Sequence, residues 1–344
     1  MSFIQFNNED FVVSSDSITS TLWSNNTTTL TSIYKSSTND IPNNSYLPVY
    51  SENPDVNTAA LPQFYIAYGQ VNGSGSAPLN SLIPGLSPTR ITYGQFRTLI
   101  NGDENTNINF GAGNTNAPDF YVLNINRTNY KEKLFPGTFN LTLSGSTEGK
   151  VQLTDNSVDS TTLTYCDAGR VFDIISGSNG SATNSTFTGV TAGYTVSGSY
   201  GKFLPDVGLI LLNAQALALP EANGGILLTP SGSNNNNTLL NTQEALFNAI
   251  DKGKNFALNS EETITSDYIF VRIKNSDFNY TTNPSMISGS GEFYYPSLVN
   301  NPQTFITTVG LYNDNNELLA VAKMSKPLVK DFTKEALVRV KLDF

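Results

Sequence analysis

Three pairs of adjacent carboxylates, Glu9-Asp10, Asp103-Glu104 and Glu261-Glu262, are the first residues of this sequence that could do chemistry. Two acidic groups held together in a cleft can divide the acid and base roles of sugar hydrolysis. All three pairs sit in polar, loop-like contexts with no neighbouring apolar shelter, so they read as solvated surface charge. A second candidate, Asn313-Asp314-Asn315-Asn316-Glu317, has the oxygen-rich look of a calcium loop but is too short. Asn and Asp tolerate left-handed backbone and bond their own chain, so this stretch reads as a turn. Gly73-Ser74-Gly75-Ser76 and Gly198-Ser199-Tyr200-Gly201 lack the Lys-Ser/Thr ending and the following helix of a phosphate loop.

The residue counts narrow the chemistry further. The chain has 344 residues, no histidine and one cysteine, Cys166. Ser-His-Asp and Cys-His sets are therefore excluded, as are His/Cys zinc sites and an internal disulfide. Cys166 lies in the strand-like run Leu163-Thr164-Tyr165-Cys166-Asp167 and reads as a small buried hydrophobe. The expectation is no catalytic residue, no metal and no cofactor, with a hydrolase built from distant carboxylates as the competing enzyme class. The net charge is −10 and the sequence shows no basic cluster, which argues against nucleic acid. No apolar run approaches the ~20 residues of a membrane span, and the first ten residues lack a secretory pattern. A reducing aqueous compartment is the expected setting.

The elements that would position any site are mostly strands. Charged residues are only 14% of the chain, and the polarity comes from Asn, Ser and Thr, which suit turns and exposed strand faces. Ile18 to Tyr34 reads as Thr-rich exposed strands or arms, Asp40 to Pro54 as turns, and Phe64 to Gly69 as an aromatic strand. Ser87-Pro88 opens a helix whose Tyr93, Phe96, Leu99 and Ile100 share one face. Strands are expected over Asp119 to Ile125, Thr138 to Leu143 (half-buried), Val171 to Ile175 and Leu209 to Leu212, with a long loop from Ser176 to Ala192. A short helix falls at Asn213 to Leu219. A longer one covers Thr238 to Ile250, with Leu239, Leu246, Phe247 and Ile250 on one face and Asn237 or Asn241 as cap. The Asn run from Ser233 to Asn237 marks a boundary. The C-terminal strands are Asp267 to Ile273, Thr304 to Tyr312, Leu318 to Lys323 and Ala336 to Phe344. In the last of these Arg339, Lys341 and Asp343 alternate with Val338, Val340 and Leu342. The fold class is mainly β (α+β), with two or more β-sandwich-like domains, a few short helices and long polar loops. The domains read as 1–118, an N-terminal interaction region; 119–232, a middle β domain; and 233–344, a C-terminal β domain.

The stretch Thr308-Val309-Gly310-Leu311-Tyr312, an Asn/Asp turn, then Glu317-Leu318-Leu319-Ala320-Val321-Ala322-Lys323-Met324-Ser325-Lys326-Pro327, resembles a C-terminal module of contractile-tailed bacteriophage baseplate wedge and tail proteins. The firm resemblance covers about forty residues, and Pro327 is expected to end the pairing. It implies a non-enzymatic structural subunit of the virion, assembled in the host cytoplasm and holding neighbouring tail or baseplate subunits together. A homo-oligomer remains open, and no membrane partner is implied. The alternative is a receptor- or glycan-binding fibre, neck or capsid-decoration protein. The interface candidates are Trp23, Tyr34, Tyr65 and Tyr68, with Leu311, Tyr312, Leu318 and Leu319 from the hairpin.

Overall fold

The computed structural model describes residues 4–37, 46–76, 86–111, 113–145, 149–183, 193–230, 241–279 and 283–343. The Asn run before residue 238, the Asn237 cap, Leu239, the second half of the loop up to Ala192, and Phe344 lie outside these. Chain order begins with β1 (Phe11–Thr21), β2 (Thr29–Leu30), β3 (Tyr46–Tyr50) and β4 (Pro62–Gln70), then helix α1 (Pro88–Asn101). Next come β5 (Asp119–Ile125), β6 (Lys133–Leu134), β7 (Asn140–Ser144), β8 (Lys150–Asp155) and β9 (Thr164–Cys166). β10 (Gly169–Ser178), β11 (Ser181–Ala182), β12 (Gly201–Leu204) and β13 (Leu209–Asn213) follow. After α2 (Ala214–Ala218) and α3 (Asn241–Gly253) come β14 (Phe256–Ala257), β15 (Asn259–Ile273) and α4 (Ser297–Asn300). The chain ends with β16 (Thr304–Tyr312), β17 (Leu318–Lys330) and β18 (Ala336–Asp343). The fold is mainly β, with several sheets and four short helices among the described residues.

The chain divides into two compact units, Ile18–Glu262 and Met1–Ser17 with Thr263–Phe344. This differs from the boundaries expected at 118 and 232. β4 and β5 pair from Phe64↔Ile125 to Gln70↔Asp119, so a cut at 118 would split a ladder. β14 pairs with both β2 and β7, which carries the same sheet across residue 232. The stretch expected as turns from Asp40 holds β3, which pairs with β4 through Leu47↔Ile66 and Val49↔Phe64.

In the larger unit an antiparallel sheet runs in the order β2-β14-β7-β8-β10-β12-β13-β5-β4-β3. Its centre is apolar on both faces. In β13, Leu209 and Leu211 join Tyr93 and Phe96 of α1, Phe120 and Val122 in one cluster. Ile210 and Leu212 join the opposite cluster, with Trp23, Phe64, Phe139, Leu246 and Ile250. Covering both faces also buries β7 almost throughout, in place of the half-buried strand expected there. α1 starts as the sequence implies, with Ser87 at the cap and Pro88 at the first position. The Ser87 hydroxyl does not cap the helix; it donates to the Gly73 carbonyl at 3.1 Å. Gly102, at φ +66, ends the helix with its N–H on the Thr98 carbonyl. Asn213 has a buried side chain that serves three elements. Its Oδ1 accepts from Gln215 and Ala216 at the start of α2 and from Asn114 Nδ2, while its Nδ2 donates to the Ser197 and Ser199 carbonyls.

In the smaller unit β15 and β18 pair antiparallel from Ser266↔Asp343 to Ile273↔Ala336. The β16–β17 hairpin packs on them through Leu311, Ile269, Val271, Ile273 and Val340, with Ile306, Val309, Ala320 and Ala322 partly buried. β18 shows the expected alternation, with Val340 buried while Arg339, Lys341 and Asp343 are exposed. Pro327 does not end the hairpin. Ile306 pairs with Leu328 and Thr308 with Lys323, so Met324–Pro327 bulge out opposite Thr307 and the ladder resumes to Thr304↔Lys330. A proline has no N–H to give to a ladder, and a bulge removes that demand. Just past the bulge, Lys330 is fully buried, and its Nζ donates to Asn275 O (3.0 Å), Asn279 Oδ1 (2.9 Å) and Asp331 O (2.7 Å). Lys330→Met strands these acceptors, and the expected cost is about 2–4 kcal/mol. Amide exchange across Phe305–Lys330 should accelerate while that of Leu209–Asn213 is unchanged; equal protection in both segments would refute this role for Lys330.

Candidate functional site

The carboxylates flagged as candidate chemistry mostly serve the backbone. Asp10 accepts from the Asn7 N–H, and Asp103 accepts from the Asn105 and Thr106 N–H groups and the Thr106 hydroxyl. These bonds hold the Asp103 carboxyl below its ordinary range, the Thr106 hydroxyl first among them. Glu261 and Glu262 are not loop residues as expected. They lie within β15, whose Ser260 and Glu261 pair with Leu134 and Lys133 of β6. That pairing buries Glu261 with Lys133 Nζ 3.8 Å away, while Glu262 meets Lys131 at 2.9 Å. The Asn313–Glu317 stretch is a turn. Asn313 Oδ1 accepts from the Asn315 and Glu317 N–H groups, and Asn316 is left-handed at φ +62. Among the described residues no group of three His, Cys, Asp or Glu side chains is placed to hold a metal. Cys166 is half-buried at the margin of the α1 cluster.

One polar cluster is perturbed. On β4 and β5, Tyr68 donates to Asp119 Oδ2 at 2.8 Å, and the Tyr68 and Tyr121 rings lie 5.3 Å apart. Asp119 Oδ1 and the Tyr121 hydroxyl are buried without a partner. Burial pushes the Asp119 carboxyl above its ordinary range, against the Tyr68 hydrogen bond. Burial, and then the Asp119 charge, raise both phenols, so they stay protonated.

The interface candidates separate by burial. Trp23 is a core residue, edge-on to Phe256 at 5.0 Å, and Tyr68 and Leu311 are buried too, so none of the three presents a surface. Their apolar area goes to the sheet clusters of their own units. Tyr65 is half-buried, with the Tyr46 ring 5.5 Å away, and Tyr34 is exposed with its backbone bridged to Tyr50. Tyr312, Leu318 and Leu319 are exposed.

The hairpin thus has an uncovered side that single residues did not reveal. Phe305 stands opposite Val329, Val321 opposite Gly310 and Leu318 opposite Tyr312. Phe305, Tyr312, Leu319, Val321 and Val329 are exposed, Phe305 at 61% and Leu319 at 67%. The signal was present in Leu318-Leu319-Ala320-Val321-Ala322, an unbroken apolar run of the kind seen in strands covered on both faces. Beside it runs a groove of about 320 Å³ lined by Val309, Ala322 and the Lys323–Lys326 bulge on one side and Val338–Lys341 of β18 on the other.

No protein-family model, no curated protein and no solved structure matches this chain. The Asp119 cluster yields a prediction of its own. A carboxyl raised by burial adds stability below the ordinary carboxylate range and loses it as the pH rises through the raised value. At neutral pH the charged form is therefore a liability. Asp119→Asn keeps an acceptor for Tyr68, and the expected result is a higher melting temperature at neutral pH with the gain vanishing at acidic pH. A gain that is the same at both pH values, or a loss at neutral pH, would refute it.

Proposed function

We propose that this chain is a non-enzymatic structural subunit that holds neighbouring protein subunits, acting through the uncovered sheet face of its smaller unit. The observation that carries the reading is the outer face of the β16–β17 hairpin. Among the described residues six large apolar side chains of this hairpin are exposed, Phe305, Tyr312, Leu318, Leu319, Val321 and Val329, while the smaller unit buries five hydrophobic ones. A monomer gains nothing from such a balance, and contiguous apolar patches on soluble proteins mark interaction sites. The resemblance of the hairpin to baseplate wedge and tail modules supports a virion as the assembly, with a contractile-tail baseplate or tail position as the particular role. Burial of Phe305, Leu319 and Val321 against a neighbour would supply the affinity, at roughly 25 cal/mol per Å² of apolar surface covered.

The double substitution Leu319→Glu/Val321→Glu sets charge on this face without touching the buried Leu311. The expected outcome is an unchanged melting curve and incorporation into particles reduced by about tenfold or more, read by quantitative mass spectrometry. Purified particles that lack the wild-type chain altogether would sink the virion assignment. Undiminished incorporation of the folded double variant would sink the role of the face.

A further inference from the structure

We propose that the groove between the β17 bulge and β18 takes an extended, acidic segment of a different protein subunit, which adds as a strand to the open edge of β18. This rests on the assembly reading above and names the chemistry of one of its partners. The first observation is the edge. Among the described residues β18 pairs with β15 alone. In an antiparallel strand alternate N–H and C=O groups point to either side, so one row of β18 faces away from β15 with no ladder partner. Such a row is a template for strand addition, with main-chain bonds giving affinity and alternate side chains giving specificity.

The second observation is how the walls are arranged. The groove floor includes Val309, Ala322, Val338 and Val340, and its rim carries Lys323 and Lys326. Both lysines are exposed, and neither has an ion-pair partner among the described residues. The acid nearest the far end, Asp343, is already engaged by Lys341 at 2.8 Å and by the Ser266 hydroxyl at 2.7 Å. Arg339 and Lys341 lie over the Tyr268 ring at 5.6 and 5.8 Å, on the face of β18 opposite Val338 and Val340, so their charges belong to the other side of the sheet. The rim therefore carries two positive charges, Lys323 and Lys326, with no ion-pair partner among the described residues, on a chain whose net charge is −10. Successive side chains of a strand point to opposite faces. A segment with alternating apolar and acidic residues would set one row on the valine floor and the other against the lysines.

The third observation is the bulge itself. Met324–Pro327 leave the ladder, so Lys326 lines the groove from within the bulge while Lys323, still paired with Thr308, stands at its start, and Pro327 cannot pair. Bulges recur where a strand must re-aim its side chains. The negative overall charge of this chain disfavours crowding of copies and leaves the positive rim for a partner.

The test uses the full chain and a fluorescein-labelled peptide of about ten residues with alternating Glu and Val, a typical strand length. Fluorescence anisotropy should show saturable binding that weakens with salt. Lys323→Glu/Lys326→Glu should weaken it by about tenfold or more with the melting temperature unchanged. The same peptide N-methylated at alternate amides should bind correspondingly weakly, because it cannot complete the ladder. The proposal is overturned if the double variant or the N-methylated peptide binds as well as the reference pair. It is also overturned if a Lys-Val peptide or a poly-dT oligonucleotide binds more tightly. Self-association of the wild-type chain that the double variant abolishes would assign the groove to a second copy and overturn it as well. Peptide binding and particle content are read separately, so failure of the groove leaves the hairpin-face reading to its own experiment.

Discussion

A sheet face made of apolar side chains must be covered, and this one requirement organises both units. The larger unit meets it from within its own chain. β13 is buried on both faces, with Leu209 and Leu211 in the cluster that holds α1's Tyr93 and Phe96, and Ile210 and Leu212 in the cluster that holds Trp23 and α3's Leu246 and Ile250. Everything else in that unit follows from supplying those covers, including the path of the chain from β4 through α1 to β5. The smaller unit meets the same requirement on one side only. Its hairpin turns Leu311 inward and leaves Phe305, Leu319 and Val321 outside.

With so few charges, the chain closes its turns and buried ends with amides and hydroxyls. Asn213 caps α2 and binds two carbonyls, and Asp155 accepts the Gly137 and Ser157 N–H groups. Asn140 accepts from the Asn179 N–H and the Ser178 hydroxyl. A neutral amide carries no ionic desolvation cost, so it suits a site with no solvent. Asp155 shows the contrast. Burial raises its carboxyl above the ordinary range, although the Ser157 and Gly137 hydrogen bonds pull the other way. The Asn- and Thr-rich composition is thus a structural strategy, one that builds long polar turns around apolar ladders.

Local signals were legible in the sequence, and long-range ones were not. The Ser87-Pro88 start, the Tyr93/Phe96 face, the β13 run and the Asn313–Glu317 turn all rest on neighbours within a few residues, and they appear where the spacing puts them. The continuity of the larger unit past residue 232 depends on Phe256 pairing with both Leu30 and Leu141, contacts that no window of sequence contains. Trp23 looked like a surface anchor because its flanks are Thr-rich, whereas pairing of the distant β14 places Phe256 beside it. Pro327 misled for a different reason. A proline forbids a ladder bond at its own position only, and the bulge lets the strand continue. The groove was hidden because Ala322 and Val338 come together only when β17 packs on the β15–β18 pair.

An exposed face and an open edge do different work in an assembly. The face of Phe305, Leu319 and Val321 is non-directional, since the hydrophobic effect scales with area covered and tolerates small shifts of the partner. The edge of β18 is directional, because main-chain bonds recur at a fixed spacing and a one-residue slip turns every side chain of an added strand to the wrong side. A subunit that used the face alone would bind without a fixed register. One that used the edge alone would hold few groups from water. With both on one small unit, whose core holds five buried hydrophobic residues among the described ones, any partner that binds the folded state would raise its population.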